Sequence, residues 1–341
     1  MTEKTGMTRR VALQAAAAVA GGIAGVGAAT GLARAQSSTS TSGSSMTSSE
    51  TSNGAMTPQW HRVSLGQAKV TTILDGTRPS DGPYPTFGSD QSAEAMAALM
   101  RENYLPEDKF VNMFNPVVIE IGGELVLFDT GMGPMGRANG SGHLRSVLPQ
   151  AGYKPEDVSI VVLTHFHGDH IGGLMEEDGP AFPNARYVAG QKEWDFWTSD
   201  AARSGPSSGG ADLVQKNVVP LKDKMTFISG GDAVIAGITG MDAFGHTPGH
   251  MVFEVKSGDR TLMLTADTAN HFVASLQRPD WQVKFDMDKD MAAATRKAVF
   301  DRIAAERLPF IGYHMPFPSL GYAKKEGEGY RFIPETYQLE I

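Results

Sequence analysis

The sequence predicts an α/β fold of two mixed β-sheets packed face to face with helices outside, and three observations point there. Short apolar runs recur in pairs across glycine turns, as in Val117–Ile121 and Glu124–Phe128 around Gly122-Gly123. One run, Val158–Leu163, is apolar apart from Ser159, the texture of a strand buried on both faces. Helical stretches interleave with these strands and do not follow them as a block.

Taken in order, the chain opens with a leader. Met7-Thr8-Arg9-Arg10 precedes a glycine-rich, weakly apolar run to Leu32, closed by the A-x-A cleavage signal Ala33-Arg34-Ala35. An uncleaved anchor would need a more hydrophobic span, so residues 1–35 are expected to be removed. The paired arginines resemble a twin-arginine signal, which implies passage through that export machinery and a periplasmic or secreted product. Residues 36–56 are mostly Ser and Thr and cannot bury enough surface to offset their ordering entropy, which predicts a disordered tether. Residues 57–341 are expected to form one domain.

Within it, strands are predicted at Lys69–Leu74, Val252–Val255 and Thr261–Thr265 in addition to those above. Helices are predicted at Ser92–Glu102, His143–Gln150, Gln191–Trp197, Ala211–Asn217 and Lys289–Arg307. The chain has 41% hydrophobic residues, enough for a sizeable core. Its net charge is -8; without the leader it carries 26 basic and 37 acidic residues, a net of -11. That surface repels nucleic acid and anionic membrane and suits a small neutral or cationic substrate. The absence of cysteine excludes disulfides, thiolate ligands and a cysteine nucleophile.

The chemistry is concentrated after the Val158–Leu163 run, in Thr164-His165-Phe166-His167-Gly168-Asp169-His170. In extended chain His165 and His167 point to one side and reach one metal. Asp169 and His170 lie where the chain turns and can address a second. Three further elements complete the set: His246 in Gly245-His246-Thr247-Pro248-Gly249-His250, Asp267 at a strand end, and His314 after a short apolar segment.

This order of ligands resembles the metallo-β-lactamase superfamily, which implies an αβ/βα sandwich with the site at one edge. By that resemblance His165, His167 and His246 hold one divalent ion, Asp169, His170 and His314 a second, and Asp267 bridges them. The implied nucleophile is a hydroxide shared by the two ions, with Asp169 a proton carrier beside the bridge Asp267. Zinc is the expected metal, with manganese, cobalt or iron as alternatives. The same resemblance makes Asp129 an acceptor that orients a ligand, and leaves His250 between that role and a turn residue. Oligomeric state is not legible.

Segments beyond the ligands, including Gly152–Glu156, Ala181–Ala185 and Glu326–Phe332, are similar to methyl parathion hydrolase and its aryl-ester- and lactone-hydrolysing relatives. That likeness implies hydrolysis of neutral esters or lactones, with a phosphotriesterase side activity. It puts Trp197, with Trp194 three residues before it, against an aromatic leaving group; core packing is the competing role for both. The loop after Gly131 lacks the phenylalanine of that family, which weakens the phosphotriester expectation. An acyl-homoserine lactonase is the chief alternative: it shares all seven ligands but commonly has a tyrosine where this chain has Asn270. A β-lactamase and a non-catalytic metal-binding module are the remaining readings.

Overall fold

The computed structural model describes residues 58–335, 339 and 341. The expected leader and tether lie outside the described residues.

Two seven-stranded sheets form the body. The first runs, in spatial order, through Trp60–Leu65, Ala68–Ile73, Val117–Ile121, Glu124–Phe128, Ile160–Leu163, Arg186–Gly190 and Met225–Ile228. Its first four strands pair antiparallel and its last four parallel. The second runs through Ala233–Ile235, Ile238–Asp242, Met251–Ser257, Arg260–Ala266, Pro309–Gly312, Leu320–Glu326 and Gly329–Pro334. Only the pair Arg260–Ala266 and Pro309–Gly312 is parallel there. Both sheets are therefore mixed, as expected.

Strand alternation sorts the core into layers. Val126, Phe128, Ile160 and Val162 face the second sheet and meet Phe253, Leu262, Leu264 and Ile311. Phe128 and Phe253 touch edge to face across the gap, ring centroids 5.2 Å apart. Leu127, Val161 and Leu163 point the other way, onto Leu144, Val147, Val214 and Trp197 of the outer helices. On the far side Val252, Met263 and Phe310 are covered by Phe300 and Ile303 of the helix Lys289–Glu306. The central strand Ile160–Leu163 is buried on both faces, which is why its sequence lacks alternation.

A piece not foreseen from the sequence is the hairpin-like pair Gly76–Asp81 and Lys109–Phe114, which frames the helix Ala93–Glu102. Phe87, Met96, Leu99 and Met100 make a small satellite core there with Val273 and Val283. Because the two strands are 27 residues apart and one contains Pro79, no local turn signal announces them.

Candidate metal centre

The ligand residues converge because the loops that follow four strands, together with one hairpin loop, open at the same sheet edge. Glu124–Phe128 delivers Asp129, and Ile160–Leu163 delivers His165, His167 and the short helix Gly168–Ile171. The loop between Ile238–Asp242 and Met251–Ser257 carries His246. Arg260–Ala266 ends on Asp267 and Pro309–Gly312 on Tyr313 and His314. Asp129 and Ala266 both adopt left-handed backbone, at φ 59° and 43°. At Ala266 the pairing with Pro309–Gly312 also slips register. Strain and a bulge together re-aim the chain so that Asp267 leaves the sheet and turns into the site.

The donor atoms form two clusters sharing one carboxylate. His167 Nδ1 lies 3.0 Å from His165 Nε2 and 2.9 Å from His246 Nε2. Asp169 Oδ2 lies 3.6 Å from His170 Nε2 and 3.4 Å from His314 Nε2. Between them Asp267 sets Oδ2 at 3.3 Å from His246 Nε2 and 3.1 Å from His314 Nε2, and Oδ1 at 3.2 Å from His170 Nε2. All seven expected ligands are thus brought together, in three overlapping triads of donor atoms: His165, His167 and His246; His165, His170 and Asp267; Asp169, His170 and His314.

The arrangement fits a pair of cations. The other ring nitrogens are already engaged: Nδ1 of His170 donates to Asp129, Nδ1 of His246 to Asp286, and Nδ1 of His314 to the Met113 carbonyl. In the neutral tautomer that these bonds select, each Nε2 turns a lone pair towards the shared space. His170 Nε2 and Asp267 Oδ1 are buried with no hydrogen-bond partner, an expensive condition unless a metal takes their electrons. Burial holds His165 and His167 well below the ordinary imidazole range, in the neutral form that coordinates. For His170 burial acts the same way, but Asp267, Asp129 and Asp169 outweigh it and hold the ring well above its usual value. A spot that so favours positive charge suits a dication.

Behind the ligands stand residues that aim them. Asp129 takes the position expected of it, accepting from Thr164 N at 2.9 Å, Thr164 Oγ1 at 2.8 Å and His170 Nδ1 at 2.8 Å. His250 is an orienting residue: Nδ1 donates to the Ala243 carbonyl and Nε2 accepts from the Asp267 N–H at 3.1 Å. Burial pushes His250 down to about 3, keeping that acceptor unprotonated.

Three organising groups escaped the sequence reading. Glu193 is fully buried and accepts from Phe166 N, Trp197 Nε1, Thr247 Oγ1 and Gly249 N at 2.7–2.9 Å. It clamps the loop of His165 and His167 to the loop of His246. Asp286 joins His246 to the buried guanidinium of Arg296, at 2.9 and 2.7 Å. Asp75 accepts from the backbone of Met132, Gly142 and Leu144 and fixes the 131–144 loop. None carries a ligand-type spacing, and Glu193 and Asp286 sit among other charged residues, so nothing local sets them apart.

The tryptophans depart from the expected aromatic wall. Trp197 is buried in the core against Phe196, its indole N–H spent on Glu193. Trp194 stacks on Phe227. Neither lines the cavity over the ligands, a space of about 310 Å³ whose aromatic walls are Phe114 and Phe285. Helical spacing put the two rings on one face but could not say that this face packs inward.

Known proteins agree with this geometry. The chain is similar to AidC, a dizinc quorum-quenching lactonase solved with its product, at 26% identity and a TM-score of 0.75, covering 82% of this chain and 98% of that one. It is similar to the hydrolase AbOPH of the β-lactamase superfamily at 25% identity and a TM-score of 0.77, covering 83% and 99%. Among curated proteins it is 23% identical over 192 residues to an N-acyl homoserine lactonase of Bacillus cereus, covering 56% of this chain and 66% of that protein. The chain spans just under two thirds of that relative's length. The Metallo-beta-lactamase superfamily profile matches residues 113–295, more than half of the chain. With seven ligands in two clusters on the edge of a two-sheet sandwich, the chain belongs to the metallo-β-lactamase superfamily of metal-dependent hydrolases.

Proposed function

We propose that this protein hydrolyses neutral lactones and related carboxylic esters with two zinc ions. The observation that carries the reading is the cavity of about 310 Å³ whose floor includes His167, Asp169, His246, Asp267 and His314 and whose walls, ligands aside, are uncharged except for Arg78. Five imidazoles and two carboxylates without thiolate suit zinc, and the similar AidC is dizinc.

Two divalent ions bound there supply Lewis acidity and lower the pKa of water from 15.7 to about 7. The remaining work belongs to side chains. Asp169 is the ligand carboxylate most open to the cavity, with its side chain 21% exposed against 4% for Asp267. Its Oδ2 can accept the proton given up as water adds to the substrate carbonyl carbon. It then returns that proton to the alkoxide oxygen as the ring C–O bond breaks. Asn270 donates to Asp267 at 2.9 Å and offers no acidic proton, which leaves that duty to Asp169. Arg78, 5.8 Å over the Phe114 ring and without a carboxylate partner among the described residues, presents N–H donors to the polarised oxygen.

Lactones rank ahead of aryl esters because neither Trp194 nor Trp197 lines the cavity, Trp197 lying behind His167 with ring centroids 6.0 Å apart. Phe114 and Phe285 favour aryl esters as a second reading. Phosphotriesters rank lower: of the 131–142 loop only Met132 reaches the cavity. The test compares kcat/KM of the metal-loaded protein for an N-acyl homoserine lactone, a phenyl ester, a dimethyl aryl phosphorothioate and a cephalosporin. The lactone should lead by tenfold or more. A phenyl ester leading by that margin would select the second reading, and a leading cephalosporin would refute both.

A further inference from the structure

At one lateral edge of the space between the sheets stand two polar groups that the metal centre does not use. Trp60–Leu65 is the outermost strand of the first sheet there, and Gly329–Pro334 the outermost of the second. By strand alternation His61 shares a face with Val63 and Leu65, which pack in the core between the sheets. Glu335 continues Gly329–Pro334, its N–H donating to the Leu320 carbonyl at 3.0 Å. The two residues stand opposite one another, so Glu335 shares the face of Leu320, a member of the same core. Beyond it, Leu339 and Ile341 are held on the first sheet by main-chain bonds of 2.9 Å with Ser64, three residues from His61.

Glu335 is only 8% exposed, and both its carboxylate oxygens are enclosed without a hydrogen-bond partner among the described residues. His61 Nε2 is in the same condition. Burial holds the His61 ring below its ordinary value, although Glu335 is near enough to act against that fall. Tyr322 feels the same carboxylate, and Arg260 acts on Tyr322 from the other direction. No cation among the described residues lies within 4.0 Å of Glu335, and a carboxylate so enclosed is costly unless something positive meets it.

We infer that His61 Nε2 and Glu335 form a further divalent-cation site, separate from the metal centre, that ties the edge of one sheet to the edge of the other. An ion of the zinc type accepts both an imidazole nitrogen and a carboxylate oxygen, whereas magnesium and calcium select oxygen. A neutral ring has the lone pair that such an ion needs. With two protein ligands, water fills the remaining positions, so this ion is held more weakly than those of the metal centre and exchanges. The ligands come from opposite ends of the domain, so the folded chain alone presents them together and binding stabilises the fold.

Equilibrium dialysis of the full chain, its metal centre already loaded, against zinc chloride should show one further, exchangeable equivalent that magnesium chloride does not displace. Glu335→Gln, which keeps the side chain's shape, and His61→Ala, at a partly exposed position, should each lose that equivalent and keep the tight ions and turnover. In chemical denaturation, zinc at about a hundredfold excess over the weak Kd should raise the folded-to-unfolded ratio of the parent about a hundredfold more than that of either variant. Absence of a further equivalent, its survival in both variants, or equal stabilisation of parent and variants would overturn the inference.

Discussion

Glu193 shows how much of the metal centre depends on a residue that touches no metal. Its four donors come from two ligand loops and a tryptophan, so an ionised carboxylate is the one side chain of that size with enough acceptor sites. In Glu193→Gln the amide NH₂ faces donors that it cannot satisfy. We expect a loss of about 3 kcal/mol in stability and a fall of roughly 10- to 100-fold in affinity for the ion held by His165, His167 and His246. Denaturant melts and elemental analysis after dialysis read the two effects. Full metal content with unchanged stability would remove Glu193 from the account. The ligands were legible because His165 to His170 carry their meaning within six residues and their partners follow in fixed order. Glu193 was not, because its partners lie between 4 and 56 residues away in sequence and only the fold brings them to it. Asp286 and Arg296 were hidden for the same reason.

At the scale of elements, two hairpins with local partners were read, while Trp60–Leu65 beside Ala68–Ile73 and the hairpin Leu320–Glu326 with Gly329–Pro334 were missed. Val117–Ile121 and Glu124–Phe128 form the predicted hairpin residue for residue, and Gln191–Trp197 is helical over the predicted span. Strands with distant partners, such as Gly76–Asp81 with Lys109–Phe114, left no trace in local pattern. Helix ends are set by side chains that periodicity does not weigh. The short helix Ala274–Gln277 begins beneath His271, whose Nδ1 accepts from Val273 N and Ala274 N. His271 also stacks on Phe272 and packs against Phe87, and burial pushes it down to about 4. Unfolded, the ring titrates near 6.5. As pH falls from 6.5 towards 4 the unfolded chain takes up a proton that the folded chain refuses, so stability is lost across that window. His271→Asn keeps a cap acceptor but does not titrate there. Between pH 7 and 4 the parent should lose about 3 kcal/mol more than this variant in chemical denaturation. Parallel curves would place the acid sensitivity elsewhere.

For the whole molecule, the described residues contain no helix long and apolar enough to cross a membrane. We propose that the protein is exported folded, through the twin-arginine signal at Arg9-Arg10, and released near Ala35. A centre assembled from loops 21 to 149 residues apart needs its complete fold before it can hold metal, which accords with a route for folded cargo. Replacing both arginines with lysine should leave precursor in the cytoplasm on fractionation; unimpaired export of that variant would exclude the route.

The pair Gly76–Asp81 and Lys109–Phe114 reaches the ligands twice: the Met113 main-chain oxygen receives His314 Nδ1–H, and the Phe114 ring packs edge to face on His314 at 5.6 Å. A carbonyl is present whatever the side chain, so this attachment survives almost any change of sequence around it. The outward side chains of the pair can therefore diverge without disturbing His314, whereas Phe114 and Arg78, which line the cavity, are held by their place in it. Related chains would change the rim of the cavity through this pair so long as they keep the carbonyl at Met113, the ring at Phe114 and the cation at Arg78.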